Sequence, residues 1–152
     1  AGEAPEPLLA ALAQLGDAKA LLASTQFGSC VFANRPGDGS AREQAASCQR
    51  VLGGAANLCY EYATKRYRSN VINWGMLPFT VDARFPGELG DLIHVPGIRA
   101  AVESGKEEII GQLIHEGQSQ PIKLYLRNLS PEDRESLLNG CLINTYKARA
   151  RQ

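Results

Sequence analysis

Apolar residues recur at helical spacing from the start of the chain. Leu8, Leu12 and Leu15 share one face, predicting a helix over 8–15 with Gly16 as its C-cap. Asp17 can cap a second short helix running through Leu22. The run Cys30-Val31-Phe32-Ala33 reads as a strand over 29–34. Ala41, Ala45, Cys48 and Leu52 follow at steps of four, three and four, predicting a helix over 41–52 that Gly53-Gly54 stops. Residues 55–60, Ala-Ala-Asn-Leu-Cys-Tyr, read as a second, buried strand, so strand, helix and strand form a βαβ unit with a parallel pair. A helix over 63–74 carries Lys65, Arg66 and Arg68 and ends at Gly75. Met76–Val81 returns as extended chain, with Pro78 keeping Leu77 out of the helical region.

The second half alternates more. Asp91–Val95 predicts a short strand and Ile98–Glu103 a helical turn ended by Gly105. Glu107–His115 and Pro121–Asn128 predict two strands, the latter with Ile122, Leu124 and Leu126 on one side and Lys123, Tyr125 and Arg127 on the other. The polar link Glu116–Gln120 makes them a hairpin. Ser130-Pro131-Glu132-Asp133 is a helix start, and the last helix places Leu138, Leu142 and Tyr146 at steps of four. There is no internal repeat. The pattern predicts one α/β domain over 1–152 with a helical lead-in over 1–24.

Composition narrows the classes. With 152 residues, 44% hydrophobic and 21% charged, the chain can bury a real core. Sixteen basic residues balance sixteen acidic ones, so no net field draws the chain to nucleic acid or membrane. No apolar run approaches the roughly 20 residues that span a bilayer. The opening Ala1-Gly2-Glu3-Ala4-Pro5-Glu6-Pro7 has neither the basic segment nor the apolar core of a signal peptide, and the chain is expected to be an excised piece of a longer protein. Cys30, Cys48, Cys59 and Cys141 lack C-x-x-C or cluster spacing. They are expected to be buried free thiols in a reducing cytoplasm, with no metal site built by this chain. His94 and His115 have no ligand-like neighbours and are read as structural or exposed.

The stretch with chemical content is Gly37-Asp38-Gly39-Ser40-Ala41-Arg42-Glu43-Gln44-Ala45-Ala46, between predicted strand and helix. Glycines let backbone turn sharply or approach a ligand closely. The first amides of a helix lack internal partners and sit at its positive end, where an anion is stabilised. Arg42 adds a planar fork suited to a carboxylate. Ser40 and Glu43 also have the spacing of a capping box, so Ser40 reads as a plain N-cap, as a reactive hydroxyl, or as both. Asp38 and Glu43 read as turn and cap residues.

That stretch resembles the G-x-G-S-S-R-E-H-A-A signature of the aconitase superfamily. Arg68-Ser69-Asn70-Val71-Ile72-Asn73-Trp74-Gly75-Met76-Leu77-Pro78-Phe79 resembles the same family's R-S-N-L-I-N-M-G-I-L-P-L segment, in the same order and at a gap of roughly 20 residues. The resemblance covers residues 29–81. It implies the family's C-terminal swivelling domain, with a layered β/β/α fold. That domain closes over a [4Fe–4S] cluster held by the N-terminal domains of the same enzyme, so this chain itself would bind no cofactor. It further implies a hydro-lyase acting on a small hydroxy polycarboxylate. Ser40 would be the catalytic base, Arg42 and Arg68 would bind substrate, and Gly37, Gly39 and Ala41 would support the turn and the anion. Asn70 is read as a brace for its turn and Trp74 as a packing anchor, while Arg68 reads equally as surface charge.

Ala41 and Gln44 stand where the family motif has serine and histidine, and Tyr62-Ala63-Thr64-Lys65-Arg66-Tyr67 where it has S-F-A-R-I-H. These departures favour a divergent hydratase over one acting on citrate. The competing readings are a small subunit of an isopropylmalate- or homoaconitate-type isomerase, a non-catalytic interaction domain, and an RNA-binding module. Against the last, Lys65, Arg66 and Arg68 form the only dense basic cluster.

Overall fold

The computed structural model describes residues 6–151. Two short helices, α1 (Glu6–Ala13) and α2 (Ala18–Ser24), precede the sheet, the second capped by the Asp17 carboxylate accepting from the Lys19 and Ala20 amides. Then come β1 (Ser29–Ala33), α3 (Arg42–Val51), β2 (Gly54–Cys59), α4 (Lys65–Asn73) and β3 (Leu77–Thr80). The remainder is β4 (Leu92–His94), α5 (Ile98–Ser104), β5 (Glu108–His115), β6 (Gln118–Tyr125), α6 (Pro131–Leu138) and α7 (Leu142–Arg149). One six-stranded sheet runs in the order β1-β2-β3-β6-β5-β4. Its first three strands are parallel, joined through α3 and α4, and the other pairings are antiparallel. The parallel βαβ unit read from the spacing is therefore present, and the fold is α/β.

The two halves bury their strands differently. β2 is covered on both faces, so Ala56, Asn57, Leu58 and Cys59 are all buried in succession. β6 alternates, with Ile122 and Leu124 buried and Lys123 out. The main core gathers Leu58, Phe79, Leu113, Leu124 and Leu126 from both halves. A smaller cluster of Ala46, Tyr67, Val71 and Met76 joins α3 to α4.

The face expected for α3 is not the buried one. Ala45, Cys48 and Leu52 lie in solvent, Leu52 at 83% exposure, and Ala46 is the helix's one fully buried residue. Hydrogen bonds decide the rotation. Gln49 donates to the Ala56 carbonyl at 3.1 Å and accepts from Asn57 Nδ2 at 2.9 Å, while Arg50 donates to the Gly54 carbonyl at 2.7 Å. Asn57, 1% exposed, would be costly to leave unpaired, so Gln49 faces inward at the expense of the apolar stripe. The cysteines divide accordingly. Cys59 is buried and Cys141 half-buried, but Cys30 on the edge strand and Cys48 on α3 are exposed, against the expectation that all four are buried.

Two further boundaries differ. The hairpin link is shorter than 116–120: His115 pairs with Gln118, leaving only Glu116 (φ 43°) and Gly117 (φ 83°) in the turn. Positive φ at both positions is the type I′ geometry that matches strand twist. The last helix is broken. α6 begins at a full Ser130–Asp133 capping box with Pro131 behind it and ends at Asn139, and Gly140 at φ 84° turns the chain into α7. The i+4 spacing of Leu138 and Leu142 spans that break.

Candidate active site

Residues 34–41 leave β1 as a loop stitched to the segment that follows β2. The Asn34 carbonyl accepts from the Tyr60 and Glu61 amides, both at 3.3 Å, and the Pro36 carbonyl from the Ala63 amide at 2.9 Å. The Gly37 carbonyl accepts from Thr64 Oγ1 at 2.9 Å. Gly37 has φ 96° and lies against Tyr67, where an added Cβ would come within 2.4 Å of the Tyr67 Cβ. Only glycine satisfies both the angle and the approach. Around Gly39 there is open space, and Ser40 is exposed at the rim.

The Ser40–Glu43 capping box does not form. The helix starts at Arg42, so Ala41 is the N-cap (φ −84°, ψ 49°) with no side-chain cap, and Ser40 falls one residue too early to reach the helix amides. Glu43 instead accepts from the Trp74 indole Nε1 at 3.0 Å, clamping the start of α3 to the end of α4. The Ser40 hydroxyl is thereby free of a capping bond. Two residues on, Arg42 occupies the first helical position. Its Nε is buried without a hydrogen-bond partner, and it forms no ion pair among the described residues. A buried guanidinium N–H left unpaired is costly, and a carboxylate would satisfy it.

Arg68 is engaged elsewhere. Its Nη2 donates to the Arg127 carbonyl at 2.5 Å and reaches the Asn128 carbonyl at 3.5 Å. That loop is itself held tightly. Arg127 makes a two-pronged bond to Asp82 (2.8 and 2.6 Å) and stacks on Tyr125, and the Asn128 amide donates to Glu107. Asn128 has φ 53°, a conformation that the Arg68 and Glu107 contacts help to hold.

Residues 19–84 match the family model of the aconitase C-terminal domain. Over that stretch the chain is similar to an aconitase C-terminal domain. No curated protein matches the chain in sequence. Among solved structures it is similar to a 3-isopropylmalate dehydratase (leuD) from Methanocaldococcus jannaschii, at 23% identity and a TM-score of 0.62, covering 98% of this chain and 81% of that one. The latter likeness extends the shared fold across β4–β6 and the last helices.

The remaining titratable groups among the described residues do not assemble a metal centre. Among the described residues no three of His, Cys, Asp and Glu come together in a way that could hold an ion. Burial pushes the Cys59 thiol up to about 11, which disfavours the thiolate that iron would need. The described residues therefore do not offer a ligand set suited to a cluster. Burial likewise raises the phenol of Tyr62, whose hydroxyl is buried beside Cys59 without a hydrogen-bond partner.

Sequence reasoning missed several contributors. Thr64, whose side chain accepts from the Tyr67 amide and donates to the Gly37 carbonyl, lies inside the helix read over 63–74, but α4 starts at Lys65 and makes it the N-cap. Tyr67 was not readable, because its role as a floor for Gly37 is a tertiary contact. His115, read as structural or exposed, is paired with Asp91, its Nδ1 2.6 Å from Asp91 Oδ1. A groove of about 400 Å³ near that pair is lined by Leu8, Ala11, Asp91, Leu92 and Ile114, and no residue of the Gly37–Arg42 turn borders it.

Proposed function

We propose that the chain is the swivel domain, spanning 1–152, of an aconitase-like hydro-lyase, in which Ser40 is the base and Arg42 binds a substrate carboxylate. The observation that carries this reading is the pairing of an uncapped, exposed Ser40 hydroxyl with a buried, unpartnered Arg42 Nε two residues away. A serine hydroxyl is a poor base until its anion is stabilised. The positive end of α3 and the Arg42 charge would supply that stabilisation through space, without a direct bond to the helix amides, most strongly once the open rim is covered and dry. Ser40 would then take the proton from the carbon next to a carboxylate held by Arg42. Gly37 and Gly39 shape the turn, and Ala41 leads it into α3. Arg68 supports the site from its seat on the Arg127 carbonyl.

The [4Fe–4S] cluster of such an enzyme belongs to the partner portion, with which this domain would close over a small hydroxy polycarboxylate. A small-subunit arrangement is favoured by the likeness to the leuD chain across 98% of this one. The unpaired state of all four cysteines agrees with a reducing cytoplasm.

The test is Ser40→Ala in the intact enzyme, assayed with 3-isopropylmalate and with citrate. Loss of a positioned base should lower kcat by about 10²–10⁴-fold. Because Ser40 caps nothing, stability should stay within about 0.5 kcal/mol of wild type. A variant retaining full turnover would remove Ser40 from the mechanism.

A further inference from the structure

We propose that Thr64 is the positioning residue for Ser40, a role that rests for its catalytic consequence on the hydro-lyase reading. Three of the bonds stitching the 34–41 loop come from main-chain amides; only the one nearest Ser40 comes from a side chain. The Thr64 hydroxyl works in both directions at once. It donates to the Gly37 carbonyl at 2.9 Å and accepts from the Tyr67 amide at 3.2 Å. One oxygen thus joins the glycine turn to the first turn of α4, and that turn also brings Tyr67 under Gly37. Between Gly37 and the start of α3, which Glu43 clamps to Trp74, nothing comparable restrains the chain. Gly39 has no neighbour within 4 Å of its missing Cβ, and Ala41 caps α3 without a side-chain bond. Ser40 therefore hangs between two anchors, the clamped start of α3 after it and the seat of Gly37 before it, and Thr64 holds the second. Proton transfer needs heavy atoms within hydrogen-bond reach, and a shift of about 1 Å costs on the order of 10²-fold in rate.

Three substitutions separate the two halves of the hydroxyl's work. Thr64→Ser keeps both bonds and Thr64→Val removes both. Thr64→Asp keeps an acceptor for the Tyr67 amide, and so the helix cap, but has no proton to give Gly37. Hydrogen exchange on the chain itself reads the turn through the amides of 37–42 and the cap through the Tyr67 amide. The intact enzyme, with 3-isopropylmalate or citrate, gives kcat and KM. In Thr64→Val, exchange across 37–42 should rise at least about tenfold and kcat should fall about 10²-fold, with a much smaller change in KM. Thr64→Ser should restore both. Thr64→Asp should keep the Tyr67 amide slow while the turn exchanges fast and kcat stays low. Slow exchange at 37–42 in Thr64→Val, or full kcat in Thr64→Asp, would overturn the proposal and leave Thr64 a helix cap. A wild-type enzyme inactive on both acids would count against the hydro-lyase reading instead, with the exchange pattern still deciding the tether.

Discussion

The two stretches that carry the aconitase resemblance are built in opposite ways. Residues 37–42 stand at an open rim, with Ser40 exposed, open space beside Gly39, Gly37 pressed against Tyr67 and Arg42 half-buried. Residues 68–79 are packed almost throughout: Val71, Ile72, Met76, Pro78 and Phe79 are buried, and Arg68 is spent on backbone carbonyls. One stretch presents groups; the other holds the frame they are presented on. The same degree of sequence resemblance therefore accompanies two different physical settings, an open rim and a packed frame.

The frame should be the fragile member. Gly75 has φ 72°, and a Cβ there would sit 1.7 Å from the Gly140 carbonyl oxygen, where α4 meets the α6–α7 turn. Gly75→Ala adds a strained backbone angle to an overpacked contact, and should cost about 2–4 kcal/mol in urea denaturation. A loss below about 1 kcal/mol would mean that the two turns are not rigidly apposed. Arg68→Ala should come next. It strips a charged donor from the Arg127 carbonyl and should cost about 1.5–3 kcal/mol. If Arg68 is only frame, KM for the hydroxy acid should change no more than kcat; a KM rise alone would return it to substrate binding.

The smallest effect lies outside both stretches and serves as a control. The hydrogen bond to Asp91, reinforced by its charge, raises the His115 imidazole above its ordinary range. Burial pushes the Asp91 carboxyl up, but the Glu88 amide and His115 outweigh it and hold the carboxyl low. The imidazolium's contribution is complete below about pH 6.5 and is lost as pH rises through the raised value. The carboxylate's contribution is present above about pH 3.9 and is lost as pH falls through the lowered one. Melting temperatures of wild type and His115→Gln should thus differ most between these limits and converge in alkali. A constant difference across pH would show that the pair is not ionic.

Much of this was legible because the signals were local. Asp17 and Ser130 cap where side-chain chemistry says, and Gly53 and Gly75 stop their helices at positive φ. The alternation of β6 named its buried side correctly. What failed was decided across the chain. The stripe Ala41-Ala45-Cys48-Leu52 is a sound amphipathic pattern, yet Asn57 on β2 needed Gln49 more than the core needed Leu52. The Ser40–Glu43 spacing is a sound capping box, yet Trp74, thirty-one residues away, took the glutamate. For the site, the glycine turn and Arg42 could be read from spacing. Thr64 and Tyr67 became part of it only when α4 was laid beside the loop.

The two-residue turn at Glu116-Gly117 bears on the order in which the molecule assembles. Bringing β5 to β6 closes a minimal loop, so little chain entropy is lost before eight pairs of residues can zip from His115 and Gln118 outward. Bringing β1 to β2 requires the whole of loop 34–41 and α3 to be spanned first, and β2 to β3 requires α4. Sequence separation thus makes the hairpin the inexpensive nucleus and the parallel half the late, slow addition. The serine-bearing rim is completed only when that last half docks.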